Sequence, residues 1–425
     1  MSIQRLKKIA LLVLLTFSCD QNQDLKIKVS NSTALKEIKR DQKNAANQLE
    51  KPYVILISID GFRHDYAERF GAKNLLEFDV KAERMIPSFP SKTFPNHYAI
   101  ATGLYPGNNG LVTNSFYDRD LNLTYNIKNR DVVENPQFYS GTPLWVLATE
   151  QNMVNASMFW VGSEAPIKGI TPTYFFKYDG EISHLDRVNQ TIKWLQLPQE
   201  ERPHFITLYF SEIDDVGHKF GPDSEEIEVG VKNIDNTIGD LVSKVNQLNL
   251  PVNIIVVSDH GMLEVDTENI IQTEDIFPND MKVTTSFPAM VYSDDIEKID
   301  SLYIILLKDT TRYNVYRKNN IPSWYHYTKH PNRIGDLVIM PKPPYTFNYK
   351  DYIISKGSST HGFDPKFTPE MGAIFYAKGP AFIKIDNIAP FENVHIYPLI
   401  CKILELKYEK DSIDGSIEVL LPILK

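Results

Sequence analysis

Three carboxylates stand where an apolar run stops. Residues 54–59 end at Asp60-Gly61, residues 204–210 lead through Glu212-Ile213 to Asp214, and residues 251–257 lead through Ser258 to Asp259-His260. One aspartate after a strand is usually a turn former or a helix cap. Three of them, two with histidine close by, are harder to explain as turns. Asp214 and His218 are four residues apart, and Asp259 and His260 are adjacent. Carboxylate and imidazole donors in this mixture suit zinc, with one position left open for water or substrate. A lone histidine is more often structural than a ligand, so His64, His97, His184, His204, His326, His330 and His395 are read as structural.

Thr93 is the other residue that could do chemistry. It lies in Ser91-Lys92-Thr93-Phe94-Pro95-Asn96-His97-Tyr98, with Pro95 near a first helical turn and Gly103 past the last. One reading makes it a plain N-cap. The other places a hydroxyl at the positive end of a helix dipole, beside backbone N–H groups able to hold a phosphate. Next to a divalent metal, such a hydroxyl can ionise and attack phosphorus. Spacing alone leaves both readings open.

The elements that must position these residues follow from the same runs. They are rich in Val and Ile at every position, as strands buried on both faces are. Helical patterns at 96–102 and 225–248 lie between them. Strand alternating with helix implies a mainly parallel sheet covered on both sides, that is, a three-layer α/β/α sandwich. Ligands of such folds sit at the carboxyl ends of the strands, where all three aspartates fall.

Composition narrows the classes further. The chain has 425 residues with 45 Lys plus Arg and 54 Asp plus Glu, a formal charge of -9. That acidity argues against bulk binding to nucleic acid backbones, and the length allows a large core without disulfides. Arg5, Lys7 and Lys8 precede an apolar run at 9–17 that ends at Ser18-Cys19. This reads as a secretory signal over residues 1–18, too short to span a bilayer as a mature helix. Cys19 then reads as a lipoprotein anchor. Residues 20–52 lack aromatics, so 19–52 is expected to be a flexible tether to a folded body that starts near Tyr53. The second cysteine, Cys401, lies in an apolar run and is expected to be a buried free thiol.

The ordered set of motifs resembles the nucleotide pyrophosphatase/phosphodiesterase family within the alkaline phosphatase superfamily. The resemblance runs through Ile59-Asp60-Gly61-Phe62-Arg63, the Thr93 segment, Gly110-Leu-Val-Thr-Asn114 and Phe159-Trp160-Val161-Gly162-Ser163-Glu164. It continues through Asp214-Asp-Val-Gly217-His218, Ser258-Asp259-His260-Gly261-Met262, His361-Gly362-Phe363 and Phe391-Glu-Asn-Val394, from about Tyr53 to the end. Any one motif is moderately specific; all of them in order are highly specific. Two departures are small: Val161 stands where Pro is common, and Asp215 follows Asp214.

The resemblance implies roles. Thr93 would be the nucleophile; Asp214, His218 and His361 would hold one zinc; Asp60, Asp259 and His260 would hold a second, with Thr93 bridging toward it. Asn114 would donate to a non-bridging phosphoryl oxygen. Phe94 and Tyr178 resemble the family's aromatic pair that sandwiches a nucleobase, and Trp160 is expected to line the same cleft. Residues 263–359 would form a small inserted cap, so that 53–425 is one catalytic domain. The expected activity is that of a secreted or lipid-anchored two-zinc phosphodiesterase and nucleotide pyrophosphatase, in the periplasm or at the outer membrane or cell surface, that cleaves nucleotide phosphodiester or pyrophosphate bonds through a phospho-threonine and releases nucleoside monophosphates. A lipid-headgroup phosphodiesterase, or a phosphomonoesterase or phosphonate hydrolase on the same scaffold, is the alternative. A non-catalytic nucleotide-binding surface lipoprotein is more remote, because no ligand residue is missing.

Overall fold

The computed structural model describes residues 36–348 and 357–425. The strands Tyr53–Ile59, Phe205–Phe210 and Val252–Val257 are buried along their whole length. Their side chains alternate between two cores. Val54, Leu56, Ile255 and Val257 face one core, while Ile55, Ile57, Ile59, Ile254 and Val256 face the other. Burial on both faces is why these runs are apolar at every position and not at every second one. Helices Thr93–Thr102, Leu144–Glu150 and Ile396–Leu404 cover the first face. Helices His184–Leu195 and Glu225–Asn246 cover the second. The fold is the expected three-layer α/β/α sandwich.

Among the described residues the main sheet has nine strands. Their order is Ile38–Lys39, Tyr174–Phe176, Asn155–Met158, Phe205–Phe210, Tyr53–Ile59, Val252–Val257, Phe375–Lys378, Val80–Ala82 and Ile385–Ile388. The run from Tyr174–Phe176 to Val252–Val257 is parallel throughout. Its carboxyl ends therefore share one edge, and Asp60, Asp214 and Asp259 come together there.

The start of the body differs from the sequence expectation. Residues 1–35, with the expected signal, Cys19 and the first part of the expected tether, lie outside the described residues. From residue 36 onward the chain belongs to the body. Ile38–Lys39 adds an antiparallel edge strand to Tyr174–Phe176. Asn44 is buried; its amide donates to the Gln199 and Arg202 carbonyls, and its Oδ1 accepts from the Val154 N–H. Backbone and amide pairing holds this segment, so its lack of aromatics did not mark it as unfolded.

The stretch read above as an insertion packs into a cluster that it shares with Phe89, Phe363 and Met371, while its Met290, Tyr292, Ile334 and Val338 join the first core. Lys282–Thr284, Ala289–Tyr292, Leu337–Pro341 and Tyr313–Arg317 pair in that order as an antiparallel sheet. Helix Ile296–Leu306 packs Ile299, Leu302 and Leu306 with Val291, Leu337 and Ile339.

This lobe is fastened to the segment that carries Asn114. Buried Arg333 donates from Nε to Asp118 Oδ2 at 2.7 Å, from Nη1 to the Gly110 and Phe138 carbonyls, and from Nη2 to the Gln137 carbonyl. Gly110 has φ +96°, and a Cβ there would meet Arg333 Nη1 at 2.4 Å, so only glycine leaves room for the guanidinium. Tyr327 donates to the Val112 carbonyl, and Thr113 to the Phe287 carbonyl. Arg333→Met strands the buried Asp118 carboxylate, and we expect it to remove about 3–5 kcal/mol of stability. Chemical denaturation reads this directly; an unchanged midpoint would show that the pair holds nothing together.

Candidate active site

Thr93 opens the helix Thr93–Thr102, with Lys92 in the capping position. Its hydroxyl does not cap the helix. Thr93 Oγ1 lies 3.2 Å from His260 Nε2. The Phe94 N–H, one of the donors a helix start offers to a phosphate, goes instead to Asn114 Oδ1 at 3.2 Å. That bond fixes the Asn114 amide with its oxygen toward the helix, which leaves the Nδ2 hydrogens for another acceptor. Asn96 steadies the approach to Thr93. Its Nδ2 donates to the Pro90 and Lys92 carbonyls, and its Oδ1 accepts from the Ser88 N–H and from Asn393 Nδ2.

Each carboxylate is held on one side. Asp60 Oδ2 accepts the Tyr209 hydroxyl at 2.6 Å, and Asp259 Oδ1 accepts the Gly61 N–H at 3.2 Å. Gly61 sits at φ +69°, and a Cβ there would come within 2.9 Å of the Asp214 backbone, so the turn after the central strand requires glycine. Asp214 lies in the first turn of helix Glu212–Phe220 and His218 in the last, on one face. His218 Nε2 is 3.4 Å from Asp214 Oδ2.

The histidines are held in the same manner. Nδ1 of His260, His361 and His218 lies 2.8–2.9 Å from the carbonyl oxygens of Gly261, Ser91 and Ser359 respectively. A carbonyl only accepts, so Nδ1 carries the proton and Nε2 presents its lone pair, the arrangement typical of metal ligands. His260 and His361 stack with ring centroids 3.5 Å apart, and His218 is 5.0 Å from His361.

These atoms fit metal ions. Asp60 Oδ1, Asp214 Oδ1 and Asp259 Oδ2 are buried without a hydrogen-bond partner. Buried polar atoms are otherwise almost always paired. Two groups of donor atoms lie within 4.8 Å of one another: Asp60 with Asp259 and His260, and Asp214 with His260 and His361. His260 thus reaches both, and His218 stands at the edge of the second. Burial, with the charges of Asp259 and Asp214 added, pushes the Asp60 carboxyl well above the usual carboxylate range. Burial and repulsion from His260, Lys92 and His218 push His361 well below the usual imidazole value, so it offers a neutral donor. The donor set is acidic, imidazole-rich and closely spaced, which matches zinc.

The aromatic residues divide. Phe94 is half-buried and meets Tyr125 edge-on at 6.5 Å. Tyr178 is 42% exposed and packs 6.2 Å from Tyr209, which holds Asp60. Both keep ring surface near the site. Trp160 does not line the cleft as expected. It is 1% exposed, its Nε1 donates to the His97 carbonyl at 3.0 Å, and it meets the His97 ring edge-on. Its indole N–H needed a buried acceptor, and the helix behind Thr93 supplies one.

Three contacts were missed. His97, one turn after Thr93, places Nδ1 2.8 Å from the Thr93 carbonyl and 3.4 Å from Asp259 Oδ2. The four-residue spacing from Thr93 could have flagged it. Tyr209, next to last in the strand Phe205–Phe210, donates its hydroxyl to Asp60. Lys92 is buried, its ammonium 4.9 Å from the Phe287 ring, and burial lowers its pKa to about 8.

Comparison with known proteins agrees with this geometry. The family described as "Type I phosphodiesterase / nucleotide pyrophosphatase" matches residues 54–364. A venom phosphodiesterase, CdcPDE, of Crotalus durissus collilineatus is 36% identical over 390 residues, 88% of this chain and 47% of its own. Human ectonucleotide pyrophosphatase/phosphodiesterase family member 1 is 32% identical over 379 residues, 84% of this chain and 40% of its own. The chain thus spans about half the length of the curated relatives it matches. Among solved structures, an inactive form of murine ectonucleotide pyrophosphatase/phosphodiesterase 5 in complex with AMP superposes with a TM-score of 0.82 at 28% identity, covering 88% of this chain and 100% of that one.

Proposed function

The chain belongs to the type I phosphodiesterase / nucleotide pyrophosphatase family, and from that premise we propose that it is a two-zinc phosphoric diester hydrolase acting on nucleotides. The observation that carries the reading is Thr93 Oγ1 at 3.2 Å from His260 Nε2, beside two convergent donor groups. Asp60, Asp259 and His260 would hold one ion, and Asp214, His218 and His361 the other. Bound there, the ions would supply Lewis-acid charge for the attacking and leaving oxygens of an in-line displacement.

In this reading Thr93 Oγ attacks phosphorus. The new Oγ–P bond replaces the bond to the leaving oxygen, which departs as an alcohol or phosphate after taking a proton. Water then hydrolyses the phospho-threonine, releasing the phosphate monoester and restoring the hydroxyl. Asn114 Nδ2 donates to a phosphoryl oxygen, and Phe94 and Tyr178 take the base between flat faces. AMP in the murine relative supports a nucleoside monophosphate product.

Asn114→Ala should lower kcat about 100- to 1,000-fold with little change in KM, the loss seen when one oxyanion donor is removed. Steady-state kinetics on an aryl thymidylate ester measures it. Identifying the products of a dinucleotide tests the class: nucleoside monophosphates support the reading, and a phosphomonoester preferred over its diester overturns it. We further propose export, with anchoring at Cys19. The basic, apolar N-terminal sequence and relatives named as venom and ecto-enzymes support export. Among the described residues no helix is long and apolar enough to cross a membrane.

A further inference from the structure

An aromatic corner lies on the chain that leaves His361. Trp324 of the inserted lobe and Phe367 meet edge-to-face with ring centroids 6.0 Å apart, and they are 37% and 67% exposed. The other three tryptophans are buried. Exposed aromatics grouped in this way commonly mark a binding surface. The Lys366 ammonium lies 4.0 Å from the Trp324 ring and 5.6 Å from the Phe367 ring.

The corner is built and not frayed. Trp324 Nε1 donates to Asp364 Oδ2 at 3.0 Å, and the Lys366 N–H donates to Asp364 Oδ1. The Phe367 N–H closes the turn on the Asp364 carbonyl. Tyr325, beside Trp324, stacks on Phe89 with centroids 3.4 Å apart. The corner is therefore tied to both chains that frame the site. Phe89 precedes Thr93 by four residues, and Asp364 follows His361 by three. Three residues of chain span at most about 11 Å.

We infer that Trp324, Lys366 and Phe367 form a subsite for the departing nucleotide of a dinucleotide substrate. The inference rests on the proposed diesterase reading and extends it to the second half of the substrate. In-line displacement sends the leaving group away from Thr93, which the proposed reading sets with the Asp60–Asp259–His260 group. The Asp214–His218–His361 group would then face the departing oxygen, and the corner begins three residues beyond it. Its chemistry fits that passenger: Phe367 offers an open flat face for a base, and Lys366 a cation for the attached phosphate.

The test compares two substrates in the full-length protein. A dinucleoside polyphosphate has a departing nucleotide, whereas an aryl thymidylate ester does not. Phe367→Ala and Lys366→Ala should each raise KM for the dinucleotide about fivefold or more, the size of one lost stacking or charge contact. Both should leave kinetics on the aryl ester within about twofold. Unchanged dinucleotide KM in the double variant overturns the subsite, as does an equal loss on both substrates. A binding arm separates this from failure of the parent reading. In a Thr93→Ala background, the dinucleotide should quench tryptophan fluorescence, and Trp324→Phe should abolish that quench. If the wild type turns over neither substrate, the diesterase reading fails, and the quench alone decides whether the corner binds a dinucleotide; no quench overturns it.

Discussion

Thr93→Ala should abolish release of nitrophenol from an aryl thymidylate ester while leaving the protein folded. A residue that forms the covalent intermediate has no substitute in the first step, so kcat should fall by about 10⁴-fold or more. Stability should barely move. Thr93 does not cap its helix, and its hydroxyl makes one contact, to His260 Nε2. The remaining supports of the loop, Asn96 with Ser88 and Asn393, are untouched by the change. Loss of one partly buried methyl and hydroxyl costs about 1 kcal/mol. Thr93→Ser, which keeps the nucleophile, should retain measurable turnover. Full activity in the alanine variant would remove Thr93 from the mechanism, and an equally dead serine variant would point to packing and not nucleophilicity.

Chelation should stop turnover, and added zinc should restore it. The physical reason is the crowding of acids at the strand ends. Asp60, Asp214 and Asp259 each carry a buried oxygen with no hydrogen-bond partner, and burial, with the charges of the other two added, pushes Asp60 toward its protonated form. Cations relieve this, so metal removal should also lower the thermal midpoint. A ligand present at a thousand times its Kd stabilises a protein by about 4 kcal/mol. Asp259→Asn should reduce bound zinc from near two per chain toward one, because its Oδ1 would still accept the Gly61 N–H while the anionic Oδ2 is gone. Metal analysis and calorimetry follow both effects without any assay of turnover. A wild-type protein that is fully active with no bound metal contradicts the proposal.

Much of this was legible because burial on two faces writes itself into a strand. Residues 54–59 and 252–257 are apolar without alternation, and the aspartate that ends each run had to lie at the open edge of the sheet. His361 was different. Nothing around it repeats a spacing, and it meets Asp214 through a long excursion of the chain, so only the resemblance singled it out. Trp160 misled because an aromatic beside a cleft motif looks like a surface, yet its indole N–H reaches the His97 carbonyl behind the helix. Residues 36–52 misled in the opposite sense, since amide bonds from Asn44 leave no hydrophobic trace.

Arg333 bears on how substrate preference in such a protein can be altered. Its four-way seat draws on Gly110, Asp118, Gln137 and Phe138, all outside the insertion it belongs to. A lobe transplanted from a relative would therefore need a recipient that already provides a glycine and a carboxylate at those places. Without them, the graft would shift the stretch on which Asn114 rides, and a chimera meant to change only recognition would lose rate as well. Exchange of the lobe together with residues 110–138 is the smallest transplant that keeps the seat whole.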